Sequence, residues 1–549
     1  MQAQGIRGAD IIAQTLARMG VDKVFSLSGN HIMPLYDALI DTPIDIIHVR
    51  HEAACVHMAD AYARTTGQVG IAMVTGGQGH ANGIAALFTS LASEAPMVLL
   101  SGHAGLGELG KGSFQELRQA EMAAPVAKAS WTAQSAAGLG HDLAKAMQIA
   151  RSGRPGPVHI SLPFDLLEQR VDSTDSLWPE ASASRAIHMP LSTHMSERIM
   201  KEISGAQRPL ILCGPALCGG PGRALMARLE GAVQVPVIGM ESPRGINDPS
   251  LGAFSEILAL ADLIVLLGKP LDFTLRFGSS PFIDQNCRFI VIDPDQDLIA
   301  RVMKYRQDQL SLSTLADSAS AADALLASAG SHSSRPVEWL NQVRAALDYR
   351  PPEWKSVQSA IGGPVHPLEL CAVLQDFFAR HPDATLVCDG GEIGQWPQAV
   401  VTQAKNRLIN GVAGSIGPSL PFALAAKIAN PAHPVVAVMG DGTFGFHMAE
   451  FDTAVRYGLP IIVIVGNDAK WNAEYQIQVR TYGKPRAQGC ELLPARYDKV
   501  VEALGGHGEY VTKEMDLPAA LERAFNSGKP ACINVLIESV PAPATKRPA

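Results

Sequence analysis

Short apolar runs alternate with stretches of helical spacing along most of the chain. The runs lie at residues 23–27, 70–74, 97–100, 158–160, 210–213, 263–267, 289–292, 385–387, 435–439, 461–465 and 531–535. Strands that are buried on both faces are continuously apolar, and the helices between them return the chain for parallel pairing. The pattern therefore predicts an α/β fold built from doubly wound parallel sheets.

Two breaks divide this pattern into three parts. Residues 172–184 are mostly polar, and residues 311–335 are rich in Ala and Ser and lead to a Pro-Pro pair at 351–352. Segments of this composition are typical of domain boundaries. We therefore predict three domains, at residues 1–175, 188–335 and 360–549, each with its own sheet.

The composition narrows the class of protein. The 549 residues are 47% hydrophobic and 18% charged, with a formal net charge of −8. The chain has no basic run that would favour a nucleic-acid partner and no apolar segment long enough for a membrane span. The start of the chain lacks the apolar core of a signal peptide, and the eight cysteines form no Cys-x-x-Cys pair. These features predict a cytoplasmic enzyme with a small-molecule substrate, no nucleic acid and no membrane.

Two acidic turns follow neighbouring apolar runs near the C-terminus. The run at 435–439 ends in Gly440-Asp441-Gly442, and the run at 461–465 ends just before Asp468, with a helix predicted over about 446–457. Two carboxylates at the ends of adjacent strands suit Mg²⁺, and glycine lets backbone N–H groups approach a diphosphate closely. Ordinary acidic turns of an α/β sheet are the alternative interpretation.

A second candidate lies near the N-terminus. Arg50-His51-Glu52 precedes an Ala-rich helical pattern, where a glutamate is poorly solvated unless it is paired. A cluster of surface charges is the alternative interpretation of these three residues.

Together the two elements resemble the thiamine diphosphate enzymes. In that family a Gly-Asp-Gly turn is followed some 27 residues later by an Asn-Asn pair, which is Asn467-Asp468 here. The resemblance implies thiamine diphosphate and Mg²⁺ as cofactors. It also implies that Asp441, Asp468 and the main-chain carbonyl of Lys470 bind the metal, with Asp468 in place of the family's second Asn.

The resemblance also assigns the remaining cofactor contacts. Glu52 matches the glutamate that hydrogen-bonds the aminopyrimidine ring, and it is the strongest catalytic candidate. Asn82 ends a segment, residues 75–82, that is similar to the family's "TSGPGATN". Contacts to the diphosphate and the thiazolium are implied for Gly391, Glu392, Ile393, Gly414, Ile416, Gly440, Asp441, Gly442, Thr443 and Asp468.

Other segments resemble one branch of the family, which holds acetolactate synthase, benzaldehyde lyase and 2-hydroxyacyl-CoA lyases. His31 matches the histidine of benzaldehyde lyase that is proposed to relay protons, and Gln115 lies in the segment that faces the cofactor. Glu52, His31 and Gln115 are therefore the predicted catalytic residues. The predicted substrate contacts are Asn30, His31, His80, Gln115 and Trp471.

This branch implies the reaction class. We expect a C–C lyase or carboligase that acts on 2-hydroxy carbonyl compounds or 2-hydroxyacyl-CoA through an enamine intermediate. The alternatives are decarboxylating carboligation of 2-oxo acids, as in acetolactate synthase, and a non-catalytic cofactor-binding subunit. A flavin-dependent oxidase is a further alternative.

The sequence of the middle domain does not identify a single ligand. The run at 210–213 enters a Gly/Pro-rich turn at 218–222 without a strict G-x-G-x-x-G spacing, so FAD, the ADP part of CoA, or no ligand remain alternatives. Lys269, Arg276 and Arg301 are candidates for an ADP contact. Relatives place the cofactor between the first domain of one subunit and the third of another, which implies a homodimer or homotetramer with inter-subunit active sites.

Overall fold

The computed structural model describes residues 5–172, 174–331 and 337–547. The chain forms two compact units, which divide between His188 and Met189. The first unit contains one large sheet, and the second contains two.

The first unit is built on six parallel strands in the order β3-β2-β4-β5-β7-β6, with a small antiparallel pair β1-β8. Its strands are β1 (Ile6–Arg7), β2 (Lys23–Ser26), β3 (Asp45–His48), β4 (Gly70–Val74), β5 (Met97–His103), β6 (Ala129–Thr132), β7 (Pro157–Pro163) and β8 (Arg170–Val171). Its helices are α1 (Gly8–Arg18), α2 (Met33–Leu39), α3 (Glu52–Thr66), α4 (Gln78–Ala92), α5 (Gln119–Ala123), α6 (Leu139–Arg151) and α7 (Phe164–Glu168).

The second unit begins with a five-stranded parallel sheet in the order β10-β9-β11-β12-β13. Its strands are β9 (Pro209–Cys213), β10 (Val237–Gly239), β11 (Leu263–Leu267), β12 (Arg288–Ile292) and β13 (Leu310–Thr314). Its helices are α8 (Thr193–Gly205), α9 (Gly220–Val233), α10 (Phe254–Leu258), α11 (Gln296–Arg306), α12 (Ser318–Ser328) and α13 (Glu338–Leu347).

A six-stranded parallel sheet follows in the order β15-β14-β16-β17-β19-β18. Its strands are β14 (Thr385–Cys388), β15 (Asn406–Ile409), β16 (Val435–Gly440), β17 (Ile462–Asn467), β18 (His507–Val511) and β19 (Ala531–Leu536). Its helices are α14 (Pro367–Arg380), α15 (Gln395–Val400), α16 (Ser419–Ala429), α17 (Asp441–His447), α18 (Glu450–Arg456), α19 (Asn472–Tyr482), α20 (Tyr497–Ala503) and α21 (Leu517–Asn526).

Both faces of the sheets are covered, as the central sheet shows. Along β9, Leu210 and Leu212 pack into one buried cluster, whereas Ile211 and Cys213 pack into another on the opposite face. Because side chains alternate along a strand, a strand with two covered faces must be apolar throughout. This requirement explains the continuous apolar runs, and it confirms the predicted α/β class with three doubly wound sheets.

Three local expectations differ from the structure. The helix predicted over 446–457 is two short helices, α17 and α18, and the strand predicted at 461–465 is β17, which extends to Asn467. The Ala/Ser-rich stretch at 311–335, interpreted as a boundary, contributes most of β13 and all of α12 in its described part. Alanine is the best helix former, so this composition suits a helix as well as a linker.

In each outer sheet, the chain reverses its direction of winding at one point. In the first unit, β2 connects to β3 on one side of the sheet, whereas its other neighbour β4 connects to β5 on the opposite side. In the last sheet, β14 connects to β15 on one side, and its neighbour β16 connects to β17 on the opposite side. Loops at the carboxyl ends of such strands diverge and leave a crevice where α/β proteins bind ligands. We call these crevices the N-terminal and the C-terminal switch points.

Candidate active site

Two buried carboxylates lie at the C-terminal switch point. Asp441 begins α17 directly after β16, and Asp468 follows the adjacent strand β17, with which β16 pairs in register from Val436 to Gly440. Burial raises the pKa of Asp441 to about 7, with a further contribution from the Asp468 charge, and burial raises the pKa of Asp468 to about 6. The acids therefore occupy the places that the sequence predicts.

One oxygen of each carboxylate is left without a protein partner. Asp441 Oδ2 and Asp468 Oδ2 are buried, and neither accepts a hydrogen bond from any residue that the structure describes. An unsatisfied buried charge is costly, and a divalent cation with oxygen preference would satisfy both atoms. Among the described residues, no group of three or more His, Cys, Asp or Glu side chains is placed to hold a metal ion, so the remaining ligands would include main-chain oxygens such as the predicted one at Lys470.

The turn after β17 is fixed by Asn467. Its Nδ2 donates to Asn534 Oδ1 at 3.1 Å and to the carbonyl of Ala495 at 3.0 Å. Its Oδ1 accepts a hydrogen bond from the backbone N–H of Ala469, which lies in the left-handed region with φ 54°. This side chain is occupied in shaping the loop that carries Asp468 and Lys470.

A second loop of the C-terminal switch point is held by Asp389. Its carboxylate is fully buried and accepts backbone N–H groups from Gly390 at 2.6 Å, Gly417 at 3.0 Å and Ser419 at 3.3 Å. Burial raises the pKa of Asp389 to about 6, although these hydrogen bonds oppose the rise. Asp389 thereby ties the loop after β14 to the segment around Ile416, a role that the sequence did not reveal.

Glycine is required where these two loops meet. A Cβ on Gly390 would lie 2.7 Å from Ile416 Cγ2, and Gly391 has φ 76°, which disfavours other residues. The backbone here lies within reach of a bound group because no side chain intervenes. These residues suit a diphosphate.

The loops enclose a cavity of about 440 Å³. Every cofactor and metal residue predicted in the C-terminal domain lines it: Gly391, Glu392, Ile393, Gly414, Ile416, Gly440, Asp441, Gly442, Thr443, Asp468 and Lys470. Burial raises the pKa of Glu392, whereas the nearby Arg244 charge opposes this rise. Arg244, which also lines the cavity, was not identified from the sequence.

Trp471, a predicted substrate contact, also lines this cavity. A Cβ on Gly442 would lie 2.7 Å from the Trp471 ring, which meets the Phe446 ring edge-on at 6.1 Å between centroids. The indole therefore packs on the first turn of α17, and its contact with substrate stays a prediction.

The segment after β19 forms one wall of the cavity. The Val540 carbonyl accepts from Asn472 Nδ2 at 2.8 Å, and Pro541 and Ala542 line the cavity. Thr545 is buried and donates its hydroxyl to the Gly252 carbonyl at 2.7 Å. We call residues 537–547 the C-terminal strap.

Glu52 lies in the other unit, at the first turn of α3. His51 caps this helix by accepting the Ala53 N–H at 3.1 Å, and Gly67 ends it in the left-handed region. Asn82 Nδ2 donates to Glu52 Oε2 at 3.0 Å, so two predicted cofactor residues are in direct contact.

His31 lies at the N-terminal switch point. Its Nδ1 is 3.3 Å from Thr75 Oγ1, which joins the loops after β2 and β4, and its ring stacks on Phe114 at 6.2 Å. Burial lowers the pKa of His31, and the nearby His103 lowers it further. Asn30 is exposed beside it.

Gln115 packs against Gly77, the residue before α4, and His80 lies in the first turn of that helix. Gln115 has a left-handed backbone, φ 56°, and a Cβ on Gly77 would lie 2.5 Å from its carbonyl oxygen. His80 is completely buried, with Nδ1 2.9 Å from Ser101 Oγ, and burial lowers its pKa to about 4. The His80 ring is therefore enclosed within the first unit, and its contact with substrate stays a prediction.

The central sheet does not leave Lys269 available for a ligand. This side chain is 2% exposed, and its Nζ donates to Thr274 Oγ1 at 2.6 Å and to Asp272 Oδ1 at 3.3 Å. The cation pairs with the half-buried carboxylate of Asp272, which the loop after β11 brings back to Lys269. The sequence alone did not indicate this pairing. Arg276 lies over the Phe282 ring at 5.3 Å, and Arg301 is exposed.

The fold and the site define a family. Residues 6–122 match the thiamine pyrophosphate enzyme N-terminal TPP binding domain, and residues 389–535 match the thiamine pyrophosphate enzyme C-terminal TPP binding domain. The chain belongs to this family and is a thiamine diphosphate-dependent enzyme.

Its relatives fall into two groups. The probable acetolactate synthase of Mycobacterium bovis is 33% identical over 546 residues, which cover 98% of this chain and 96% of the relative. The 2-hydroxyacyl-CoA lyase 2 of Danio rerio is 28% identical over 583 residues, which cover 96% of this chain and 91% of the relative. The 2-hydroxyacyl-CoA lyase of Arabidopsis thaliana is 27% identical, with coverage of 97% and 96%. The chain is therefore of the acetolactate synthase and 2-hydroxyacyl-CoA lyase type.

None of the helices in the described part of the chain combines the length and the apolar character that a membrane crossing needs.

Proposed function

We propose that this enzyme uses thiamine diphosphate and Mg²⁺ to cleave or form the C–C bond beside the carbonyl of 2-hydroxy ketones or 2-hydroxyacyl-CoA esters. When bound, the cofactor supplies a nucleophilic carbon and accepts the electron pair that this bond releases. The residues of the chain bind and orient the cofactor and move protons.

The buried acidic pair carries the proposal. Asp441 and Asp468 each present an unsatisfied oxygen, and the glycine turns at 390–391 and 440–442 lie beside them in one cavity. A cation held by the pair, with the Lys470 carbonyl, would neutralise the carboxylates and bind diphosphate oxygens at the same time. This arrangement supports Mg²⁺ as the metal.

Glu52 is proposed to hold the opposite end of the cofactor. Its Oε2 is fixed by Asn82, which leaves Oε1 to exchange a proton with a ring nitrogen of the aminopyrimidine. His31 is proposed as the proton donor and acceptor for the substrate oxygen, because its lowered pKa favours the neutral ring near neutral pH. Asn30 and Gln115 would complete this part of the substrate pocket.

Decarboxylating carboligation of 2-oxo acids is the second candidate function. The 33% identity to a probable acetolactate synthase, over nearly the whole chain, favours it. In this case, the donor 2-oxo acid would release CO₂, and His31 would protonate the oxygen of the acceptor carbonyl as the new C–C bond forms.

A substrate panel separates the candidates. Purified holoenzyme is incubated with a 2-hydroxyacyl-CoA, benzoin, pyruvate or benzoylformate, and release of aldehyde and of CO₂ is measured. Aldehyde release from the first two supports the lyase, whereas CO₂ release from the last two supports the carboligase. Turnover of none of them, with cofactor bound, would favour a non-catalytic subunit.

We further propose a homodimer or homotetramer whose active sites take Glu52 from one subunit and Asp441 from another. Glu52→Gln and Asp441→Asn variants, each inactive alone, would then regain activity when unfolded together and refolded as mixed oligomers. Mixing variants that share one defect, two Glu52→Gln preparations, is the matched control. An active monomer in sedimentation would contradict the proposal.

A further inference from the structure

A buried glutamine fastens the start of α4 to the sheet of the first unit. Gln119 is 1% exposed, and its Oε1 accepts the backbone N–H of Gly77, the residue before α4, at 2.7 Å. Its Nε2 donates to the Gly102 carbonyl at 3.0 Å and to Ser161 Oγ at 3.1 Å. One side chain thus joins α4 to both β5 and β7, with donors and acceptor all used.

A buried histidine fastens the same turn a second time. His80, in the first turn of α4, contacts Ser101 Oγ of β5 at 2.9 Å, and its ring lies 4.6 Å from that of His159 on β7. An apolar contact would let a helix slide or rotate over a sheet, whereas hydrogen bonds of fixed length and direction permit one position only. These hydrogen bonds therefore restrict both the sliding and the rotation of the first turn of α4 over the sheet.

This turn also carries the groups that surround the Glu52 carboxylate. Asn82 donates to Glu52 Oε2 at 3.0 Å, and a Cβ on Gly79 would lie 3.3 Å from Glu52 Oε1. A shift of α4 would therefore move Asn82, which donates to one carboxylate oxygen, together with Gly79, which lies close to the other.

We propose that Gln119 and His80 are positioning residues for Glu52. They lock the first turn of α4 on β5 and β7, so that Asn82 and Gly79 hold the carboxylate in one orientation toward the aminopyrimidine. The proposal rests on the proposed role of Glu52. It assigns a role to the glutamine four residues beyond the predicted catalytic Gln115.

Ser101→Ala tests the proposal with the least disturbance, because it removes only the hydroxyl that holds His80. Ser26→Ala is the matched control, since Ser26 is completely buried in the same unit and its Oγ donates to the Met73 carbonyl of β4 at 2.7 Å instead of holding α4. The readouts are kcat, the melting temperature, and the exchange rate of the C2 proton of bound thiamine diphosphate measured by NMR. The last reports Glu52-assisted proton removal without turnover.

We expect both variants to lose similar thermal stability. Only Ser101→Ala should slow C2 proton exchange and kcat, by roughly tenfold, because a displacement of catalytic groups by a fraction of an ångström has effects of this size. Ser101→Thr, which keeps the hydroxyl, should restore most of the rate. Gln119→Leu should act in the same direction and more strongly, and Ser101→Ala keeps the proposal testable where Gln119→Leu does not fold.

The Glu52→Gln background separates positioning from general damage. If His80 acts through Glu52, then Ser101→Ala should slow the Glu52→Gln enzyme no further. An equal slowing in both backgrounds, or equal slowing by Ser101→Ala and Ser26→Ala, would overturn the inference. A Glu52→Gln enzyme with normal exchange would instead overturn the proposed function of Glu52.

Discussion

The two switch points share a topology but differ in how completely their buried polar side chains are hydrogen-bonded. At the N-terminal switch point, Gln119 has all its side-chain hydrogen-bonding groups occupied. Nδ1 of His31 and Nδ1 of His80 each contact a hydroxyl, whereas His80 Nε2 is buried without a partner among the described residues. At the C-terminal switch point, Asp441 and Asp468 are buried with unsatisfied oxygens. The first crevice therefore satisfies most of these polar atoms within the protein, whereas the second leaves two carboxylate oxygens unpaired, for which we propose a cation.

The contrast extends to the effect of pH. Burial lowers the pKa of His80 to about 4 and raises that of Asp441 to about 7. Both shifts favour the neutral form, but a base and an acid reach that form at opposite ends of the pH scale. The two crevices should therefore lose stability in opposite directions.

Removal of one carboxylate should have the largest effect. Asp441→Asn deletes a charge from the proposed metal site, and we expect kcat to fall about a hundredfold or more at saturating cofactor. The metal-free variant should be more stable than the wild type at pH 8 by about 1–3 kcal/mol, because a buried charge is removed. Steady-state kinetics and urea unfolding measure the two quantities, and a metal-free variant less stable than the wild type would contradict the contrast.

The metal-free protein should lose stability as pH rises from about 4 to about 7. The folded-state pKa of Asp441 is raised above its unfolded value of 3.8, so the unfolded chain ionises first. The loss should be on the order of 2–4 kcal/mol and should be reversed by Mg²⁺. Unfolding by urea across this range, with and without Mg²⁺, measures it. Asp441→Asn is the control that should reduce the slope, while Asp468 and Asp389, whose pKa values are also raised, keep their own part of it.

Acid should destabilise the N-terminal region through His80. Its folded-state pKa lies below its unfolded value of 6.5, so stability is present above pH 6.5 and is lost as pH falls toward 4. Hydrogen exchange of amides in β5 and α4 should show weaker protection at pH 5 than at pH 7, after correction for intrinsic rates. His80→Asn should remove most of this dependence, and an unchanged slope would assign it to other groups.

Asp468→Asn should have an intermediate effect. The amide keeps an oxygen ligand but removes one negative charge, so we expect Mg²⁺ to bind about tenfold more weakly, with cofactor binding retained. Titration of the metal-free protein with Mg²⁺ at fixed thiamine diphosphate measures this change. Unchanged Mg²⁺ affinity in the variant would mean that the Asp468 carboxylate is not a ligand.

The smallest effect is expected from a substitution in the C-terminal strap. Thr545→Val removes the hydroxyl that donates to Gly252 and should speed cofactor release about threefold. Thr545→Ser is the matched control. Stopped-flow chase of bound cofactor measures the release rate. Equal release rates in Thr545→Val and Thr545→Ser would show that this hydrogen bond of the strap does not slow cofactor release.

Burial explains which strands were predictable. Every strand identified from the sequence lies inside one of the three large sheets, and the strands that were missed there are the edges: β3, β6, β10, β13, β15 and β18. An interior strand must be apolar on both faces, whereas an edge strand such as β13, with its Leu-Ser-Leu-Ser-Thr sequence, is half exposed. Edge strands therefore lack the signal that the interior strands carry.

The site divides in a similar way. Asp441, Asp468 and Glu52 lie in short local motifs, so the sequence and its resemblance to the family could predict roles for them. Asp389, Gln119 and Arg244 were missed because their roles depend on loops that come together only in the fold. Lys269 illustrates the reverse case, because a basic residue that could contact a ligand instead bonds Asp272 and Thr274 of its own loop.

The central claim is that a cation at Asp441 and Asp468 binds the diphosphate end of the cofactor. Calorimetric titration of the metal-free protein with thiamine diphosphate, with and without Mg²⁺, tests this claim most directly. We predict tight binding with Mg²⁺ and binding at least a hundredfold weaker without it, whereas Asp441→Asn should bind weakly in both cases. Equal affinity of the wild-type protein in the two conditions would contradict the account.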